Sequence, residues 1–122
     1  GELSRFLLAL KVCLAKVGDA ATIVFDEVDS GIGGATAAAV GERLKKLSHD
    51  VQVLVVTHSP QVAAIAYRHW LIRKTTTRNA ASTDVIELDA KGRREEIARM
   101  LSGAEVTAEA RAAADKLLTV AG

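Results

Sequence analysis

Two short apolar runs rich in β-branched residues, 20–25 and 51–56, do most to limit what this chain can become. Neither alternates with polar residues, which is the pattern of a strand covered on both faces. Each stops abruptly at chemically competent side chains, Asp26 and Glu27 after the first run, Thr57 and His58 after the second. Between them, after a turn containing Gly31, Gly33 and Gly34, the residues Ala37, Val40, Leu44 and Leu47 recur at helical spacing, with Glu42, Lys45 and Lys46 on the other face. Strand, helix, strand is a βαβ unit, in which the strands run parallel and the crossover is right-handed in nearly every known case. The fold class is therefore α/β with a parallel βαβ core, and both strand ends face one side.

The flanking segments complete the pattern. From Leu3, the apolar positions Phe6, Leu7, Leu10, Cys13, Leu14 and Val17 recur at helical spacing, and Gly18 closes the stretch. Ser59 and Pro60 read as the N-cap and first residue of a helix reaching about Tyr67. Residues 70–73 and 84–88 alternate polar and apolar side chains as edge strands do, with a polar loop expected over 75–82. Two carboxyl-terminal helices complete the chain, one through Ile97, Met100 and Leu101, the other through Ala110, Ala113, Leu117 and Leu118 after an N-cap at Thr107. Tyr67 and Trp70 read as packing residues, His49 and His69 as solvated or structural, and Lys45, Lys46, Arg93 and Arg94 as solvated faces.

Composition narrows the class further. A length of 122 residues suggests one domain, and 49% hydrophobic content excludes a wholly disordered chain. Sixteen basic against fifteen acidic residues leave a charge of +1, so bulk electrostatics argue neither for nor against a polyanionic partner. Cys13 is the single cysteine and cannot form an internal bridge, which fits a reducing, cytoplasmic setting. Lys11, Lys16, Asp26 or Gln52 interrupt the apolar runs, so none approaches the roughly 20 residues a membrane-spanning helix needs, and no membrane partner is expected. The chain opens at Gly1 directly into an amphipathic pattern, as expected of a piece of a longer protein.

In open parallel sheets, ligands bind outside the carboxyl ends of the strands, where Asp26, Glu27 and His58 should gather. A carboxylate leaving a strand can hold Mg²⁺ through a water, its neighbour can accept a proton from an attacking water, and a histidine can hydrogen-bond a phosphate. Together these are parts of a nucleotide phosphohydrolase site. The same residues have plainer readings: an acidic pair can simply open a turn, and a histidine at a strand end can be a bystander. No G-x-x-x-x-G-K-[ST] loop occurs in the chain, so it holds no strong phosphate cradle of its own.

The runs GELSR, TIVFDEVDSGIGG and VLVVTHSPQVA, in this order and spacing, resemble the carboxyl-terminal lobe of an ABC-type ATPase head. Within that superfamily, DEVDSGIGG and THSPQVA most resemble the RecN family, SMC-like proteins of bacterial DNA double-strand break repair. The similarity continues through EEIARMLSGAEVT and the final helix. It implies that residues 1–122 form the carboxyl-terminal lobe of an ABC/SMC-type P-loop ATPase head. The Walker A loop, Q-loop and a long coiled coil would belong to another part of the same protein.

By the same resemblance Asp26 is the Walker B aspartate on Mg²⁺, through water, Glu27 the catalytic base, and His58 the switch histidine that senses the γ-phosphate. Gly1, Glu2, Leu3 and Ser4 match the end of the S-G-G-E-L-S signature, which in this superfamily binds the nucleotide of the opposite head. The signature's first serine and glycine are not in this sequence. Residues 29–34 occupy the D-loop region, where Gly33 stands at the position of the usual aspartate, so no D-loop aspartate is assigned. The resemblance further implies ATP and Mg²⁺ as cofactors and ATP hydrolysis by the full protein, with this chain inactive alone. Its implied partners are the Walker A lobe, a second head in a homodimer, and DNA through the full protein; its setting is cytoplasmic and nucleoid-associated. Competing readings are the head lobe of another SMC-like or ABC ATPase, and a catalytically silent structural or partner-binding lobe.

Overall fold

The structure is a computed structural model and describes residues 9 and 21–121. Apart from Ala9, the expected first helix therefore lies outside the described residues, together with Cys13 and the signature residues Gly1, Glu2, Leu3 and Ser4. The described elements run β1 (Thr22–Asp26), α1 (Gly34–Leu47), β2 (Gln52–Val56), α2 (Pro60–Ile65), β3 (Trp70–Thr77), β4 (Ala80–Glu87), α3 (Ala90–Ser102) and α4 (Ala108–Ala121). They gather into two compact units that divide between Ile65 and Ala66.

In the first unit β1 and β2 pair in parallel, with Thr22 opposite Gln52 and Asp26 opposite Val56, so the two strands end level. That register sets the loop leaving Asp26 beside the loop leaving Val56. Phe25, Val53 and Val55 turn inward against Ala37, Val40 and Leu44 of α1 and Val62 of α2. Val40 and Leu44 are 2% and 3% exposed, and burying an aliphatic side chain of this size stabilises by about 1.5–3 kcal/mol. Gly41 lies where α1 approaches α2: a Cβ there would stand 3.3 Å from Ile65 Cγ2 and 3.5 Å from Val62 Cα. Lys45 and Lys46 in the last turn of α1 complement the negative end of its dipole.

The other face of this pair departs from expectation. Among the described residues it is open, with Val24, Leu54 and Val56 at 63%, 36% and 43% exposed. The continuous apolar runs encode two faces that seek cover, and α1 and α2 supply it to one. Helix α2 begins as expected: Val62 N–H donates to Ser59 Oγ (3.4 Å) and Ala63 N–H to Ser59 O (3.0 Å). It stops at Ile65, two residues before Tyr67, because the chain bends there on its way into β3.

In the second unit the expected polar loop over 75–82 is instead the turn end of an antiparallel hairpin, which runs from Trp70 opposite Glu87 to Thr77 opposite Ala80. Threonines carry the strand through this polar stretch, since their β-branched side chains suit a pleated surface whether or not it is buried. Only Arg78 and Asn79 form the turn, closed by Thr77 Oγ1 donating to Ala80 O at 3.1 Å. Trp70, Ile72 and Val85 are more than half exposed and Tyr67 is 67% exposed, so neither aromatic is a core residue of this unit.

Helices α3 and α4 pack on each other around Ile97, Ala98, Ala110 and Ala114, all buried. Both start on side-chain caps, Asp89 Oδ1 accepting from Gly92 N–H (2.7 Å) and Thr107 Oγ1 accepting from Ala110 N–H (3.1 Å). Two bidentate pairs cross between them, Arg94 to Asp115 and Arg111 to Glu95. Arg93 and Arg94 are therefore not simply solvated: Arg93 donates to Ala66 O, and Arg94 holds Asp115.

Candidate active site

The level ends of β1 and β2 make the site. Glu27, directly after β1, has φ +51°, a left-handed backbone that costs a non-glycine residue about 1–3 kcal/mol. Two backbone bonds hold it there: Glu27 N–H donates to Val56 O at 2.8 Å, and Glu27 O accepts from Ser30 N–H at 3.1 Å. Gly31, at φ +76°, completes the turn in a conformation glycine adopts freely. The first bond reaches across to β2 and sets Glu27 against the segment that carries His58. Its carboxylate Oε1 meets His58 Nε2 at 2.9 Å. The two side chains are 49% and 88% exposed, so the contact adds little to stability, while both groups stay open to a bound molecule.

Behind this pair lies a polar chain. Asp29 is 7% exposed, and its Oδ2 accepts a hydrogen bond from Thr57 Oγ1. Thr57 Oγ1 in turn accepts from Ser59 N–H at 2.9 Å, and Ser59 Oγ donates to Gln61 Oε1 at 3.0 Å. Glu27, Asp29, His58 and Gln61 all line one cleft of about 330 Å³, which Gly34 and Pro60 also border.

The expected trio is thus only partly one cluster. Glu27 and His58 touch and share the cleft. Asp26 is the last residue of β1, exposed, with its Cα paired to that of Val56, and it is not among the residues lining the cleft. Strand alternation places it with Thr22 and Val24 on the open face. No three His, Cys, Asp or Glu side chains converge to form a metal cage among the described residues. A single exposed carboxylate suits Mg²⁺, which keeps several waters and takes one or two carboxylates together with substrate phosphates.

Sequence reasoning misses Asp29 and Thr57 as a pair. One signal is present: Thr57 ends the second apolar run beside His58, and Asp29 stands two residues after Glu27. That they meet follows from the parallel register together with the tight turn after Glu27.

No family model matches the chain. Three similar proteins, each described as DNA repair protein RecN, decide the relationship. Those of Xylella fastidiosa (strain Temecula1) and Rickettsia felis are 48% and 50% identical to it over 118 residues, 97% of this chain. That of Streptomyces coelicolor is 46% identical over 121 residues. By sequence, this chain is RecN-like. It spans 21–22% of the length of these RecN proteins. In fold, a chain from work on ATP-driven dimerization and DNA-stimulated activation of SMC ATPases superposes with a TM-score of 0.61 at 19% identity, over 85% of this chain and 61% of that one. The likeness supports the α/β fold class expected from the sequence. Among the described residues, no helix is long and apolar enough to cross a membrane.

Proposed function

We propose that this chain is the carboxyl-terminal lobe of the ATPase head of a RecN-like DNA repair protein, acting in double-strand break repair and recombination. The observation that carries the reading is the meeting of Glu27 and His58 at 2.9 Å over the level ends of two parallel strands. In this account Glu27 accepts the proton of the attacking water, and the His58 imidazole, whose Nε2 lies 2.9 Å from Glu27 Oε1, is placed to turn its N–H to the γ-phosphate when nucleotide binds. Asp26, one residue earlier, would hold Mg²⁺ through water. When bound, Mg²⁺ neutralises charge on the β- and γ-phosphate oxygens.

The chain's own inventory leaves gaps that other parts must fill. It has no Walker A loop, so the phosphates require the amino-terminal lobe of the same protein, and the signature remnant Gly1, Glu2 and Ser4 would serve the nucleotide of a second head in a homodimer. DNA is engaged through the full protein, in the bacterial cytoplasm and at the nucleoid.

Two variants of the full-length protein test the assignment by failing differently. Asp26→Asn should weaken Mg²⁺-dependent binding of ADP as well as hydrolysis, since the metal contact serves both. His58→Ala should leave ADP affinity nearly unchanged and slow hydrolysis on the order of 10²-fold, the usual cost of one lost stabilising contact at a reacting centre. Calorimetric titration with Mg·ADP decides between them. An equal loss of ADP affinity in both would mean that His58 supports the pocket as a whole and does not sense the γ-phosphate.

A further inference from the structure

We propose that Asp29, acting through the Thr57 hydroxyl, is a positioning residue that fixes the separation of Glu27 and His58; the inference rests on the ATPase reading above. Asp29 is the one charged residue among the described core positions, 7% exposed. A carboxylate taken out of water is retained only where a partner offsets its desolvation, and the partner here is Thr57 Oγ1. Asp29 lies two residues after Glu27, and Thr57 immediately precedes His58. The bond therefore ties together the two loops that carry the facing pair.

The direction of the chain is fixed by proton count. Thr57 has one hydroxyl proton, which goes to Asp29 Oδ2, leaving a lone pair that accepts Ser59 N–H at 2.9 Å. Ser59 caps α2 through both its side chain and its carbonyl. One polarised line thus runs from the loop after β1, through the residue beside His58, to the start of α2. The backbone bond from Glu27 N–H to Val56 O supplies a second, independent tie at the strand ends. Two ties suppress rotation of one loop past the other, which one tie would permit. Removing the Thr57 hydroxyl should leave Glu27 where it is and let the His58 segment drift from it.

The test uses the full-length protein and four variants, Thr57→Val, Thr57→Ser, Asp29→Ala and the double Asp29→Ala/Thr57→Val. Thr57→Val removes the hydroxyl at nearly constant shape. Its kcat for ATP should fall about ten- to a hundredfold, the usual effect of loosened positioning, with KM within about twofold of the parent. Thr57→Ser should restore kcat, and the double variant should be no slower than either single one. Amide hydrogen exchange without nucleotide provides a readout apart from turnover: in Thr57→Val, Ser59 N–H should exchange faster while Glu27 N–H keeps its protection.

Parent-like kcat in Thr57→Val, additive losses in the double variant, failure of Thr57→Ser to restore, or loss of protection at Glu27 would each overturn the inference. Should Asp29→Ala not fold, Thr57→Val and Thr57→Ser carry the test alone. A Glu27→Gln control separates the two levels. If it abolishes turnover while Thr57→Val does not, the positioning role falls and the ATPase reading stands; if Glu27→Gln turns over normally, Glu27 is not the base, and if the parent itself shows no turnover, the ATPase reading falls, and in both cases exchange at Ser59 and Glu27 still decides whether the tie exists.

Discussion

His69 shows how one residue can make stability depend on pH. Burial first, and the Arg93 cation second, hold its pKa below the ordinary 6.5, with Glu96 pulling the other way. The folded state therefore resists a proton that the unfolded chain accepts. Stability from this group is complete above about pH 6.5 and declines as the pH falls from there toward the lowered folded value. Thermal melts at about pH 7.5 and pH 5.5 should show a lower Tm at the acid end, and His69→Gln should shrink the difference, a window in which ordinary carboxylates have not yet titrated. An unchanged difference in that variant would assign the effect elsewhere. At this same scale, Glu27 and His58 are legible in the sequence, because each lies just beyond an apolar strand run and parallel strands bring their ends together. The Asp29 carboxylate is not, since sequence shows a charge and a position but not the burial that gives the charge a purpose.

Elements are legible to the extent that their periodicity is apolar. Helix α1 and both carboxyl-terminal helices can be read from apolar spacing, and α4 also from its Thr107 cap. The hairpin is longer than its sequence suggests because residues 75–82 have no apolar alternation, and its threonines look like loop until paired. Caps and close approaches can be tested directly. Thr107→Ala removes the acceptor of Ala110 N–H and should cost about 1 kcal/mol in urea unfolding. Gly41→Val should cost about 1–3 kcal/mol, because its side chain would press on Ile65 and Val62 at the crossing of α1 and α2. A Gly41→Val protein as stable as the parent would mean that the two helices yield there without penalty.

For the whole molecule, the proposed reading assigns the Walker A loop, whose motif does not occur in these 122 residues, to another part of the protein. The chain by itself is expected to release no phosphate from ATP above background, whereas the full-length protein should turn over with Mg²⁺. If Glu27 is the base of an ATPase head, its loss should trap bound ATP. In the full-length protein, Glu27→Gln keeps the size of the side chain and removes its proton acceptor, so Mg·ATP should bind, remain uncleaved in a single-turnover assay, and hold the heads together as an ATP-dependent dimer by light scattering. Cleavage of bound ATP by Glu27→Gln at the parent rate, with the protein monomeric throughout, would contradict the account.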